Sequence, residues 1–398
     1  MIYPTNPWPP APPTPAPAPL PTPAPTKLGL IGGGALALVV LSLSGLLLGG
    51  ELGTFMVVGI TVVPFMVLAV LAYLGLDRPW AKVLAILGWL VTAGGYALGA
   101  LALSLSAIMG VVQERGQLLQ LLGTHAGQLA LIGLGLFLAP LIGALGFVPG
   151  VRRALSRRLP LDPNSFVHTI ALVTVVTMIL ISVVPLVVLA APPALTAVSN
   201  ATGAGKSLTS GDNGSTLRSQ FYTLVWTLPC AIFAVGYGIR RNGRDALTRL
   251  GLVRPSGRQV LAGLGLAVAA VFAAQGLDWA ITQVWAATGW PRTDGEAVNK
   301  LLAFAFSWQG AIILGVTAGV GEEVAVRGVL QPRLGILLSN VFFTSLHALQ
   351  YNWDALLSVF LLGLVLGVIR QRTNTTTSAI VHGTYDALLV LLALLSGT

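Results

Sequence analysis

The chain has 398 residues, 55% hydrophobic and only 9% charged, with a formal net charge of +9. A soluble domain of this length needs far more charge to cover its surface, so a water-soluble globular fold is excluded. The single cysteine, Cys230, excludes a disulfide framework and a cysteine-based metal site.

Residues 1–27 alternate Pro with Ala, Thr and Leu, as in Pro12, Pro13, Pro15, Pro17, Pro19 and Pro21. This composition predicts an extended, disordered cytoplasmic tail, and a tail of this kind is also a ligand for partner domains. Eleven blocks nearly free of charge follow, at 28–49, 55–76, 83–109, 127–148, 166–190, 221–238, 260–285, 301–320, 335–350, 355–369 and 378–396. A hydrocarbon core of about 30 Å needs about 20 helical residues, and most blocks supply them. A helix satisfies its own backbone in lipid, so the expected fold is all-α, a polytopic transmembrane helix bundle of about 11 spans. The blocks at 335–350 and 355–369 are short, which points to a tilted or partly inserted segment.

The basic excess is distributed by topology. With a cytoplasmic N-terminus, 17 of the 22 Lys and Arg fall in or beside inner loops, among them Arg152, Arg153, Arg157, Arg158, Arg240, Arg241 and Arg244. The positive-inside rule expects that asymmetry, so the charge marks orientation in a cell membrane and contact with anionic lipid, with no nucleic acid as partner. Residues 191–218 read as a long polar outer loop. In the inner loop 239–259, the stretch from Asp245 predicts a short surface helix stopped by Pro255. A boundary near residue 195 divides an N-terminal five-span module, 28–195, from a C-terminal module, 196–398.

Ionisable residues inside spans are costly and stand as functional candidates. Three compact clusters lie within residues 321–386. The first is Gly321-Glu322-Glu323-Val-Ala-Val-Arg327-Gly328. Glu323 and Arg327 are four apart and can pair along one helix face. Glu322 is rotated by about 100° from its neighbour and is free to face a cavity as a general base. The second cluster is Phe343-xxx-His347 and the third His382-xxx-Asp386, each projecting its two groups together. A bundle that brings the three helices to one cavity would gather two histidines and two carboxylates around a water.

In order and approximate spacing, these clusters resemble the three motifs of the CAAX-protease and bacteriocin-processing (CPBP, or Abi) membrane family, which includes type II CAAX prenyl endopeptidases. The resemblance covers roughly residues 240–398. It implies peptide-bond hydrolysis in a membrane cavity open to the cytoplasm, acting on a membrane-associated or lipidated protein or peptide. By that resemblance Glu322 activates water with help from His347, Glu323 and Arg327 position groups, and His382 and Asp386 stabilise the oxyanion. Two positions depart from the family pattern. Val326 stands where an aromatic residue is common. Asp386 stands where many members have Asn, and an ionised Asp cannot donate a hydrogen bond.

Glu322, His347 and His382 also make a three-ligand set of the kind that holds zinc with one open position. The His-Glu-x-x-His signature of zinc proteases is absent, which favours glutamate-dependent chemistry. Two other classes fit a polytopic bundle with intramembrane charge: a transporter, and a non-catalytic scaffold. The gathering of carboxylates and histidines within residues 321–386, without an internal repeat, favours the enzyme.

Overall fold

The computed structural model describes residues 28–109, 120, 123–203 and 213–396. The Pro-rich tail 1–27 and the centre of the outer loop, 204–212, lie outside the described residues. In chain order the helices are α1 (Leu28–Ser44), α2 (Gly50–Val58), α3 (Val63–Leu74), α4 (Pro79–Met109), α5 (Ala126–Ala144) and α6 (Pro149–Leu155). Then come α7 (Phe166–Leu189), α8 (Pro193–Gly203), α9 (Asn213–Ala234), α10 (Gly243–Leu250), α11 (Gly257–Thr288) and α12 (Gly295–Leu301). The C-terminal part holds α13 (Trp308–Val316), α14 (Gln331–Leu346), α15 (Trp353–Arg372) and α16 (Thr375–Ser396). Among the described residues the only β-type pairing is an isolated bridge between Tyr237 and Arg241. The protein is an all-α membrane bundle.

Every one of the eleven apolar blocks is helical over much of its length. Six described helices are long and apolar enough to cross a bilayer, and the pair Gly50–Thr61 and Val63–Leu74, bent by 45°, makes a seventh. The other blocks fall short for local reasons. α1 has 17 residues. α9 opens on the polar run Asn213-Gly-Ser-Thr, which lowers its mean hydropathy. The block 301–320 is interrupted at Ala303–Ala305 by a tight 3₁₀ turn, and Ser307 then starts α13 by accepting a hydrogen bond from the Gly310 amide. The outer face of α11 shows Leu261, Leu264, Phe272 and Trp279 to the surroundings, as a lipid-facing helix must.

Two connections differ from expectation. The segment read as an outer loop contains the helix α8. The surface helix α10 forms as expected, but ends earlier than Pro255, at Gly251 with φ 73°. Only glycine is at ease there, because a Cβ would also lie 2.7 Å from the Thr375 hydroxyl.

Packing interleaves the two halves of the chain. α14 lies on α7, and α9 lies on α3. Leu334 shares one core with Leu172 and Val175. α13 and its continuation meet α16 through backbone: a Cβ on Gly319 would sit 2.6 Å from the Gly383 Cα, and one on Gly315 would sit 2.4 Å from the Gly383 carbonyl. Small residues are the means by which helices associate where lipid supplies no hydrophobic drive. We predict that Gly319→Val lowers stability by at least about 1–3 kcal/mol, read as thermal unfolding in detergent. Gly94→Ala, where nothing lies within 4 Å of the added Cβ, changes it by no more than about 1 kcal/mol.

Candidate active site

The helix that carries the first motif is not a plain α-helix. After α13 the chain runs as π-type turns, Thr317–Glu322 and Val324–Leu330, before α14 resumes. Wide turns of this type are rare and are frequent at functional sites. They send two adjacent carboxylates to different places. Glu323 points inward and is 0% exposed, whereas the Glu322 side chain keeps 39% of its surface.

A carboxylate sealed in a bundle must find partners, because a buried unpaired charge is prohibitive. Glu323 is paired with Arg327 at 3.1 Å, accepts a hydrogen bond from the Ser378 hydroxyl, and meets His382 Nδ1 at 3.0 Å. Arg327 in turn donates to the Gly363 carbonyl at 3.0 Å and stacks its guanidinium over the Phe343 ring at 4.4 Å. Arg370 donates to the Arg327 carbonyl at 3.1 Å. The π turns, α14, α15 and α16 are thereby tied through one ion pair.

The imidazole of His382 is bracketed by acids. Carboxylates accept, so Nδ1 donates to Glu323; Nε2 lies 3.4 Å from Asp386 and 3.9 Å from Glu322. Hydrogens on both ring nitrogens satisfy this arrangement. On α14, His347 Nδ1 lies 3.1 Å from the Phe343 carbonyl. A carbonyl only accepts, so Nδ1 carries the hydrogen and Nε2 of the neutral ring is an acceptor. The Tyr351 ring lies parallel to His347 at 5.9 Å, and Phe343 touches both imidazoles edge-on, at 5.0 Å from His347 and 6.1 Å from His382.

Glu322 and His347 line one cavity of about 480 Å³. Its wall follows α9 from Gln220 to Ala234, about 20 Å of helix, so it is a tunnel rather than a chamber. The other side is built by the N-terminal half, including Phe65, Met66 and Ala72 of α3 and Ile170, Thr174 and Val175 of α7. The lining is predominantly apolar, as ligand cavities are.

Residues 304–388 match the family described as type II CAAX prenyl endopeptidase Rce1-like. This segment is Rce1-like. No curated protein and no solved structure matches the chain.

All six residues singled out from the sequence lie in the Rce1-like segment, and their groups assemble in two tiers. Glu322 and His347 line the cavity. Glu323, Arg327, His382 and Asp386 are absent from that cavity's wall, and His382 Nε2 lies 3.9 Å from Glu322. Val326, in the place of the aromatic residue, is buried and contributes to the lining. Both nitrogens of His382 face carboxylates, and among the described residues no three His, Cys, Asp or Glu are grouped to hold an ion.

Two site residues escaped the sequence reading although helical spacing marks them. Ser378 is four before His382, and Tyr351 is four after His347, each extending a recognised stripe by one turn. The tunnel wall contributed by α3 and α7 carries no such signal, since its residues look like any apolar span. We predict that Glu323→Gln, which leaves Arg327 buried without its countercharge, costs about 3–5 kcal/mol and lowers the unfolding temperature in detergent. Glu322→Gln leaves that temperature nearly unchanged, because its side chain borders the cavity.

Proposed function

We propose that the chain is an intramembrane endopeptidase that hydrolyses a peptide bond of a membrane-associated or lipidated protein or peptide. The observation that carries this reading is that Glu322 and the acceptor nitrogen-bearing ring of His347 share one tunnel, while His382, part of a buried charged group, lies 3.9 Å from Glu322. The Rce1-like segment supports it by family.

The chemistry follows from what each group can hold. Glu322 takes a proton from a water in the tunnel, and the oxygen adds to the scissile carbonyl carbon. His347 accepts a hydrogen bond from the same water through Nε2 and fixes its direction. As the C–N bond breaks, the proton stored on Glu322 passes to the departing nitrogen, leaving a free carboxylate and a free amine. General base catalysis of this type contributes about 10²–10⁴-fold. Glu323, Arg327, His382 and Asp386 act through Glu322: the first two fix the His382 ring, and His382 Nε2 sets the orientation of the Glu322 carboxylate. The mechanism calls on no metal. The apolar tunnel suits an apolar or lipidated segment, and the placement of Lys and Arg supports a cell-membrane protein with a cytoplasmic N-terminus.

The test is cleavage of a broad library of apolar and lipidated peptides by the protein in proteoliposomes. Glu322→Gln is expected to lower kcat by about 100-fold or more, His347→Ala to lower it strongly, and a chelator to leave it unchanged. Loss of activity on chelation would instead assign the water to a metal. A folded wild type that cleaves nothing, or a fully active Glu322→Gln, would overturn the endopeptidase and favour a transporter or scaffold.

A further inference from the structure

Two arginines hold neighbouring carbonyls of the run that carries the first motif, and the chemistry above uses neither. Arg249, in the last turn of α10, donates to the Gly328 carbonyl at 2.9 Å. Arg370, in the last turn of α15, donates to the Arg327 carbonyl at 3.1 Å. A guanidinium has five donors, so each keeps most of its fork for another acceptor. Both side chains are half-buried, and among the described residues neither forms an ion pair with a carboxylate. Asp245 precedes Arg249 by one turn, at the spacing that favours a pair, yet it is exposed and makes none with it.

The surroundings add cations. Burial, then the charges of Arg333, Arg241 and Arg370, push the Arg249 guanidinium below its ordinary value, to about 9. Arg333 and Arg241 share the Tyr73 hydroxyl, at 2.8 Å and 3.0 Å. Even a full phenolate at Tyr73 would offset only one of these four charges. Backbone bonds close the seam between α10 and the start of α16: the Gly251 carbonyl accepts from the Thr376 amide at 3.3 Å, and the Thr376 hydroxyl accepts from the Val253 amide at 3.2 Å. That stitching brings two further exposed arginines to the same seam, Arg254 just after Val253 and Arg372 just before α16. Apolar side chains lie among them, since Leu247 is 41% and Val253 39% exposed. Exposed apolar and basic side chains mixed on a short helix between spans suit a bilayer interface better than a pocket for a free anion.

We propose that the seam between α10 and the C-terminal end of α15 binds the phosphate of an anionic lipid, gripped by Arg249 and Arg370 with Arg254 and Arg372 at its rim. The basic excess of the inner loops is general, whereas this site is built: backbone bonds fix its two central guanidinium groups. Those bonds end on Arg327 and Gly328, so a phosphate between the two arginines braces the wide turns that carry Glu322 and Glu323. The site stands whether or not the chain cuts peptides.

The experiment titrates the full-length protein, in a non-ionic detergent, with short-chain phosphatidylglycerol, short-chain phosphatidylcholine or inorganic phosphate. Bound lipid is counted by native mass spectrometry, and unfolding temperature is read alongside. Phosphatidylglycerol is expected to bind about tenfold or more tightly than phosphatidylcholine and to raise the unfolding temperature more, with inorganic phosphate doing neither. The pair Arg249→Gln and Arg370→Gln is expected to erase the preference. The exposed pair Arg254→Gln and Arg372→Gln is expected to weaken it severalfold, and Arg153→Gln with Arg157→Gln on the other inner loop to leave it intact. Equal binding of the two lipids overturns the site even if the Arg249/Arg370 variant fails to fold, as does a preference that survives in that variant. Equal loss in the Arg153/Arg157 variant would reduce it to diffuse surface charge. Inorganic phosphate binding as tightly as phosphatidylglycerol would overturn the lipid in favour of a soluble anion.

Discussion

Within an apolar bundle, the pairing of Glu323 with Arg327 dictates how its neighbours are arranged. Neither side chain reaches solvent, so every remaining donor and acceptor must be supplied by an adjacent helix. Ser378 and His382 come from α16, the Gly363 carbonyl from α15, and the Phe343 ring from α14. Three of those partners are themselves next to something else in the site. His382 Nε2 lies 3.9 Å from Glu322, Phe343 precedes His347 by one turn, and Ser378 Oγ lies 3.1 Å from the Leu366 carbonyl of α15. A structural ion pair thus doubles as the frame for the cavity-facing groups. This is why the motif residues cannot be divided cleanly into stability and chemistry.

The frame works only if α16 can come close, and glycine makes that possible. Gly315 and Gly319 meet Gly383 at backbone distance, one residue from His382. Any larger side chain at these positions would push the imidazole away from Glu323, whose hydrogen bond to it is 3.0 Å long. The π-type turns contribute the second half of the geometry. A regular α-helix already separates adjacent side chains by about 100°, and the wider turns let Glu323 seat fully in the interior while Glu322 borders open space. Backbone irregularity is tolerated at membrane depth where it is surrounded by protein or lines a cavity, and here it does both.

Much of this was legible in the sequence, for identifiable reasons. Charge is so scarce in the spans that Glu322, Glu323, Arg327, His347, His382 and Asp386 stand out, and i,i+4 spacing pairs Glu323 with Arg327 and His382 with Asp386. The all-α membrane fold followed from block length alone. Three things did not follow. That six or seven helices among the described residues reach full span length, where the sequence has eleven apolar blocks, depends on where a block breaks, as at Ala303–Ala305, and hydropathy does not report that. The presence of Glu322 and His347 on the cavity wall, with His382 and Asp386 off it, depends on how α14 and α16 pack, which spacing within one helix does not report. The long-range wall made by α3 and α7 depends on tertiary packing, for which apolar residues give no positional signal.

That wall bears on how the two halves of the chain divide their labour. The Rce1-like segment contains Glu322 and His347, the two lining groups that the proposed chemistry uses, yet it could not enclose the tunnel by itself. Phe65, Met66 and Ala72 from α3, with Ile170, Thr174 and Val175 from α7, set its width, and Tyr73 reaches Arg333 from the same α3. On the endopeptidase reading, a substitution in α3 or α7 would alter which chains fit with little effect on Glu322, whereas one at Glu323 or Gly319 would disturb the groups around Glu322 whatever the chain. The part of the protein without a recognisable motif therefore shares the tunnel wall with the matched segment.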